Sequence, residues 1–258
     1  MSWLTQTLSS SIGKKVLMSL SGLFLCTFLV VHLIGNLQLF KNDGGYAFNT
    51  YAVFMTTFPP IKAVSYVNYA LILFHAFWGL YLASSNRKAR NVGYDVVKNS
   101  STWSSRNMAI LGTVLLVYIV VHMSGFWYKY HYVNLPYVQY TETLQTGEVV
   151  TQAMPEDYTQ DVKSVETVDV EAGTRTLIVK DLYKEVSFSF KNVLIVLIYI
   201  VGMVALAYHL YHGFQSAFQS LGANHPKYTP AIKWIGIWIF AILIPVAYAL
   251  MPLYFFFK

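Results

Sequence analysis

Apolar positions in this chain gather into five long stretches without one charged side chain, at 16–40, 63–86, 107–128, 192–226 and 234–257. An α-helix rises about 1.5 Å per residue, and a bilayer core takes about 20 apolar residues to cross, so each stretch is long enough to span. A soluble protein would have to bury five charge-free helices on every side. The pattern therefore predicts an all-α membrane protein with five transmembrane helices, at about 16–40, 63–86, 107–128, 190–218 and 232–257. The fourth stretch exceeds what a bilayer needs; its tail, 217–225, carries Gln219, Ser220, Gly222 and Asn224 and is read as interfacial.

Between the third and fourth stretches, 129–191 has a different texture. Pro136, Pro155, Gly147 and Gly173 break it, and the runs 176–179 (Thr-Leu-Ile-Val) and 186–190 (Val-Ser-Phe-Ser-Phe) read as short strands. The expectation is an inserted loop or small cap with room for a β-hairpin. It is long for an ordinary connection.

Composition agrees with the pattern: 55% of residues are hydrophobic and 12% charged, about half the charge of a soluble domain. The distribution of charge adds an orientation. Segments 1–15, 87–106 and 227–233 hold nine of the 18 basic residues, Lys14, Lys15, Arg87, Lys88, Arg90, Lys98, Arg106, Lys227 and Lys233, against the single acid Asp95. The positive-inside rule puts these segments in the cytoplasm, with the N-terminus inside and the C-terminus outside. Segment 129–191, with ten of the 12 acidic residues and six basic ones, then lies on the outer face. Lys14 and Lys15 before an apolar run resemble the start of a signal peptide, but the run is too long for one and no small-residue cleavage site follows, so it is read as a retained helix. The lone Cys26 excludes an internal disulfide, a four-cysteine iron–sulfur site and c-type haem attachment, and is read as a packing residue.

Four histidines change the picture. His32, His75, His122 and His209 lie one each in the first four charge-free stretches. An ionisable side chain inside a membrane is costly and by default functional. The first and third stretches share a spacing: Gly22, His32 and Gly35 match Gly112, His122 and Gly125, with glycines ten before and three after each histidine. The second and fourth share another, His75 with Gly79 and His209 with Gly213, the glycine four residues on. A glycine at that spacing shares the histidine's face and leaves room for a flat macrocycle. One ten residues away stands about 15 Å along the axis, at the depth of a second ring. Any one of these glycines is also explained by helix packing.

Helix direction sets depth. His32 and His122 fall towards the outer face, His209 towards the cytoplasm and His75 near the middle. His32 and His122 therefore pair around an outer metal centre, and His75 and His209 around an inner one, within a four-helix bundle plus a fifth helix. A structural zinc site gathers four ligands at one point, whereas these split two and two. Two axial imidazoles complete a haem iron and leave no open position, the arrangement of an electron carrier. Two b haems are the expectation. His212, three residues after His209, competes as a ligand; Gly213 favours His209 and leaves His212 as a hydrogen-bonding neighbour.

The run Ser19-Leu-Ser-Gly-Leu-Phe-Leu followed by His32 resembles the first helix of the cytochrome b membrane subunit of succinate dehydrogenases and fumarate reductases, in its single-subunit, five-helix, dihaem bacterial form. So do Phe74-His-Ala-Phe77, Gly112 with His122, and His209 with Gly213 running to Leu221-Gly222. The resemblance covers the five helices. It implies His32, His75, His122 and His209 as axial ligands, and Ser19 in contact with a propionate of the inner haem. It also implies a flavoprotein with FAD and an iron–sulfur subunit docked on the cytoplasmic face. Electrons would pass between them and a quinone, usually menaquinone, in the bacterial inner membrane. Lipid and quinone are the other expected partners, and no nucleic acid is. The dicarboxylate site would belong to the flavoprotein. The chain departs from the family in its longer segment 129–191 and in Ala207, where some members carry a glutamate; no carboxylate lies inside the five stretches. Asp43 is the only acid near the outer membrane face apart from 129–191. Two other readings stay open: the cytochrome b anchor of a hydrogenase or formate dehydrogenase, and a transporter with structural histidines. The last would be expected to show broken helices and intramembrane acids, and neither is present.

Overall fold

The computed structural model describes Gln6, residues 9–89 and residues 102–258. Arg90, Asp95 and Lys98 lie outside the described residues. Among the described residues five helices are long and apolar enough to cross a membrane: α1 (Ser11–Phe40), α3 (Pro59–Lys88), α4 (Met108–Tyr132), α6 (Val193–Ser220) and α7 (Thr229–Phe257). Two shorter helices, α2 (Tyr46–Thr57) and α5 (Leu182–Ser189), and four strands complete the main elements.

The helix α6 shows why these segments belong in lipid. Val196, Tyr199, Met203, Leu206 and Leu210 form its buried face, while Leu194, Leu197, Val201, Val204 and Tyr208 form an equally apolar stripe left exposed. Each large apolar side chain held in water instead of an apolar medium forfeits about 1.5–3 kcal/mol. A helix apolar all round is a membrane span or the core of a large protein. In α3 only 6% of the most apolar window is buried inside the protein, so the rest needs a non-aqueous surround. The chain is an α-helical membrane protein with a small antiparallel sheet.

Helix ends follow local rules. Gly222 adopts φ +79° just past α6; Gly222 N–H bonds the Gln219 carbonyl and Ala223 N–H the Phe218 carbonyl, a Schellman closure that needs a left-handed residue. The segment after Ser220 is thus a turn. Two spans contain π-helical stretches, Met123–Tyr128 in α4 and Ile235–Leu243 in α7.

The chain packs as two compact units. The first comprises Met1–Val31, Tyr66–Ile119 and Leu197–Leu250. Its core joins Cys26, Leu111, Leu115, Met203, Leu206 and Phe214. The Tyr248 hydroxyl donates to the Leu29 carbonyl at 2.7 Å, tying α7 to α1.

The second unit comprises His32–Ser65, Val120–Val196 and Met251–Lys258. Its sheet has the order β2-β1-β4-β3, with β1 Tyr137–Thr143, β2 Val149–Ala153, β3 Ser164–Asp169 and β4 Thr174–Lys180, all antiparallel. Val138 faces Val179 and Tyr140 faces Leu177 across the central pair. These four side chains are buried against Tyr46 and Val53 of α2. Asn49 of α2 locks the arrangement: its amide donates to the Tyr140 hydroxyl (2.8 Å) and Asp181 (3.1 Å), and its carbonyl accepts from Tyr183 N–H (3.0 Å). Burial pushes the Tyr140 hydroxyl pKa up.

Two expectations are corrected here. The insertion forms two paired hairpins rather than one. The run 186–190 is not a strand: Val186–Ser189 end α5, and Phe190 follows it. Asp181 accepts from Lys184 N–H at the helix start, and Val186 and Phe190, four apart, bury together on one side while Phe188 stays exposed. An apolar residue at every second position fits a strand, but its first and last members fit a helix equally well.

Candidate metal centres

Each compact unit contains one histidine pair. In the first unit the rings of His75 (α3) and His209 (α6) meet edge-on, with centroids 6.2 Å apart and planes at 67°. In the second unit those of His32 (α1) and His122 (α4) stand 5.8 Å apart at 90°. All four side chains are half-buried. The ring opposite His75 is that of His209; His212 is also half-buried, one helical turn on.

The surroundings of the first pair come from the repeated motif. A Cβ added to Gly22 would stand 3.2 Å from His75 Cε1, and one on Gly112 4.0 Å from His209 Cε1. The bare backbone of α1 and α4 therefore borders the two rings. Gly79 and Gly213 have other neighbours: the methyl of Met18 would lie 3.0 Å from a Cβ at Gly79, and that of Met108 3.9 Å from one at Gly213. Met18 and Met108 each precede the motif glycine by four residues. The repeat thus runs Met–Gly–His–Gly in both helices, one residue beyond the glycines and histidines that periodicity picks out.

Polar contacts around this pair are few. Ser21, only 3% exposed, donates its hydroxyl to the Met18 carbonyl at 3.0 Å, and the same oxygen lies 3.0 Å from His75 Nδ1. Ser19 is also buried. His209 Nδ1 is buried without a hydrogen-bond partner among the described residues. A buried polar atom left in that state costs about 1–3 kcal/mol and calls for a physical reason.

The second pair is built differently. The His32 carbonyl accepts from the Asn36 amide at 2.8 Å, one turn on. His122 immediately precedes the π-helical stretch, and its ring meets the edge of Phe126 at 5.7 Å, which in turn meets Phe190 at 5.7 Å. The Tyr51 ring lies directly on Gly35, leaving no space for a Cβ, whereas a Cβ on Gly125 would meet no other atom within 4 Å among the described residues outside its own helix. Asp43, the acid nearest this region outside the insertion, accepts from Gly45 and Ala47 N–H at 3.0 Å each and so holds the first turn of α2.

The spacing of the pairs can be tested against a metal. With a metal–imidazole bond of about 2.0 Å, two imidazoles on opposite sides of one ion have centroids about 6 Å apart. Both pairs meet that distance. Among the described residues no group of three or more His, Cys, Asp or Glu side chains converges. A metal held by two imidazoles on opposite sides would have room for a planar, non-protein ligand between them, and a porphyrin has that shape. The bare Gly22 and Gly112 backbones suit such a group. Sequence reading missed Ser21, Met18, Met108, Tyr51 and Phe126. Only the methionines left a trace, as one more step of the repeat.

Comparison with known protein families, with curated proteins and with solved structures gives no match.

Proposed function

We propose that the chain is a dihaem cytochrome b, the membrane anchor of a succinate dehydrogenase or fumarate reductase. In this reading it carries electrons across a bacterial cytoplasmic membrane, between a flavoprotein and iron–sulfur subunit pair and a quinone, with menaquinone favoured. The observation that carries the reading is the sorting of four intramembrane histidines into two pairs, 5.8 and 6.2 Å between ring centroids, each joining two apolar helices.

His32 and His122 would hold one b haem, and His75 and His209 the other. Bound there, haem would supply one-electron exchange at an iron with no free position for dioxygen. The protein's share is binding and insulation. Each imidazole would offer one ring nitrogen's lone pair to the iron. Gly22 and Gly112 keep side chains off the first pair, and Ser21 holds His75. No described carboxylate within the spans competes for the metal or draws in water.

The basic segments support an orientation and a docking face. Lys14, Lys15, Arg87, Lys88, Arg90, Lys98, Arg106, Lys227 and Lys233 would face the cytoplasm, the N-terminus inside and the C-terminus outside, and would steer an acidic partner surface. The test is a reduced-minus-oxidised spectrum and a pyridine haemochrome assay on the purified chain, with its co-purifying subunits identified. Two b haems per chain and a covalent-FAD flavoprotein are expected. A chain without haem would end the reading, and a hydrogenase or formate dehydrogenase partner would change the complex it serves.

A further inference from the structure

Resting on the haem reading, we propose that Ser21 is a positioning residue: its hydroxyl accepts the Nδ1 proton of His75, presents Nε2 to the iron, and lowers the reduction potential of that haem relative to the same site without it.

A serine hydroxyl has one proton and two lone pairs. The Ser21 proton has a partner three residues back, the Met18 carbonyl at 3.0 Å. Towards His75, also at 3.0 Å, the oxygen therefore acts as acceptor, and Nδ1 must carry the hydrogen. A neutral imidazole protonated at Nδ1 keeps its lone pair on Nε2. Ser21 is nearly sealed, at 3% exposed, so water does not substitute for it. Hydroxyls that bond back to their own helix are common, and Thr27 to the Leu23 carbonyl is one in α1. Ser21 differs in reaching a second helix, at an atom whose state decides which nitrogen is free.

The opposite ligand lacks this device. Aligning Gly22 with Gly112 sets Ser21 against Leu111, which offers no acceptor. His209 Nδ1 is buried without a partner among the described residues. The pair therefore has one imidazole oriented by hydrogen bonding and one by packing alone. A partner that accepts from the far ring nitrogen raises ligand basicity and fixes the ring's orientation. A more basic imidazole favours the oxidised iron, so its loss must raise the potential.

The test uses the full chain in its complex, with potentiometric titration of both haems. Ser21→Ala is expected to retain two haems and raise the reduced-to-oxidised ratio of one of them about tenfold at fixed ambient potential, about 59 mV for one electron. Ser21→Thr keeps the hydroxyl and should stay close to the unsubstituted protein; Thr27→Ala should leave both potentials in place. If Ser21→Ala loses the haem and Ser21→Thr restores it, the hydroxyl is also supported. Two haems with unchanged potentials in Ser21→Ala would overturn the role while leaving the haem reading intact. So would equal loss in both Ser21 variants, which marks a packing role. An unsubstituted chain without haem would remove the haem reading and this role together.

Discussion

Each histidine pair has its own repeated spacing, and the two differ in construction. Around His75 and His209 the repeated motif is used symmetrically. Gly22 and Gly112 border one ring each, and Met18 and Met108 reach Gly79 and Gly213 in matching fashion. Around His32 and His122 the symmetry is gone: Tyr51 from α2 occupies the face of Gly35, Gly125 has no neighbour, and a π-helical stretch follows only one of the two histidines. A repeat in sequence fixes where a residue falls along a helix. What packs against it depends on the segments between the helices, and these differ completely. Residues 41–58 supply α2 beside one copy, while the insertion supplies the sheet and α5 after the other.

On the proposed dihaem reading, the largest test of this contrast removes one histidine at a time. His75→Ala or His209→Ala should lower the haem count from two to one and erase one component of a redox titration; His32→Ala or His122→Ala should erase the other. Losses that group His32 with His75 would break the pairing. Next in size is steric intrusion. Gly22→Leu places a side chain where a Cβ alone would sit 3.2 Å from His75, and should displace the haem of that pair while sparing the other. Equal loss of both haems would mean that Gly22 serves helix packing generally. Gly35→Ala meets the Tyr51 ring and should act on stability, costing about 1–3 kcal/mol as an overpacked site. A lowered Tm with two haems still bound is the expected result, and selective loss of a haem would assign Gly35 to its site. His212→Ala should keep both haems with at most a small potential shift; loss of one would make His212 the ligand in place of His209. Gly125→Ala should be the mildest, with nothing nearby to disturb and a gain of up to about 1 kcal/mol in helix propensity. A measurable loss of haem there would show that the open space at Gly125 is used.

How far the sequence could be read follows from these same particulars. The five spans were legible because an aqueous surface does not tolerate 20 or more residues in a row without a charge, whereas a bilayer core demands them. Val193–Ser220 and Thr229–Phe257 end within about three residues of the expected bounds. The helix α2 was not legible: Tyr46–Thr57 is short and mixed, and it is held by the bond from its Asn49 to Tyr140 and by the sheet's core. Three of the four strands went unseen as well. Tyr137–Thr143 does alternate, with Val138 and Tyr140 inward and Gln139 and Thr141 outward, but β2 and β3 are mostly exposed and their valines do not alternate with polar residues. Around the candidate metal centres, periodicity located the histidines and glycines. Ser21 was invisible because its importance lies in a contact with His75, 54 residues away.

The π-helical stretch Met123–Tyr128 has a consequence for helical phase. Each added residue turns the chain by about 100°, so one extra residue in a wide turn resets the direction of everything after it. Before the stretch, α4 is phased by His122 facing His32. After it, the helix is phased by Lys129, paired with Glu185 at 2.6 Å, and by the buried Tyr130. A regular helix of the same length could satisfy one of these demands but would rotate the other out of place. The wide turn acts as a phase adjuster, letting one helix answer to His32 at one end and to α5 at the other. Deleting one residue there would leave the composition of the span nearly unchanged and force a choice between its two ends.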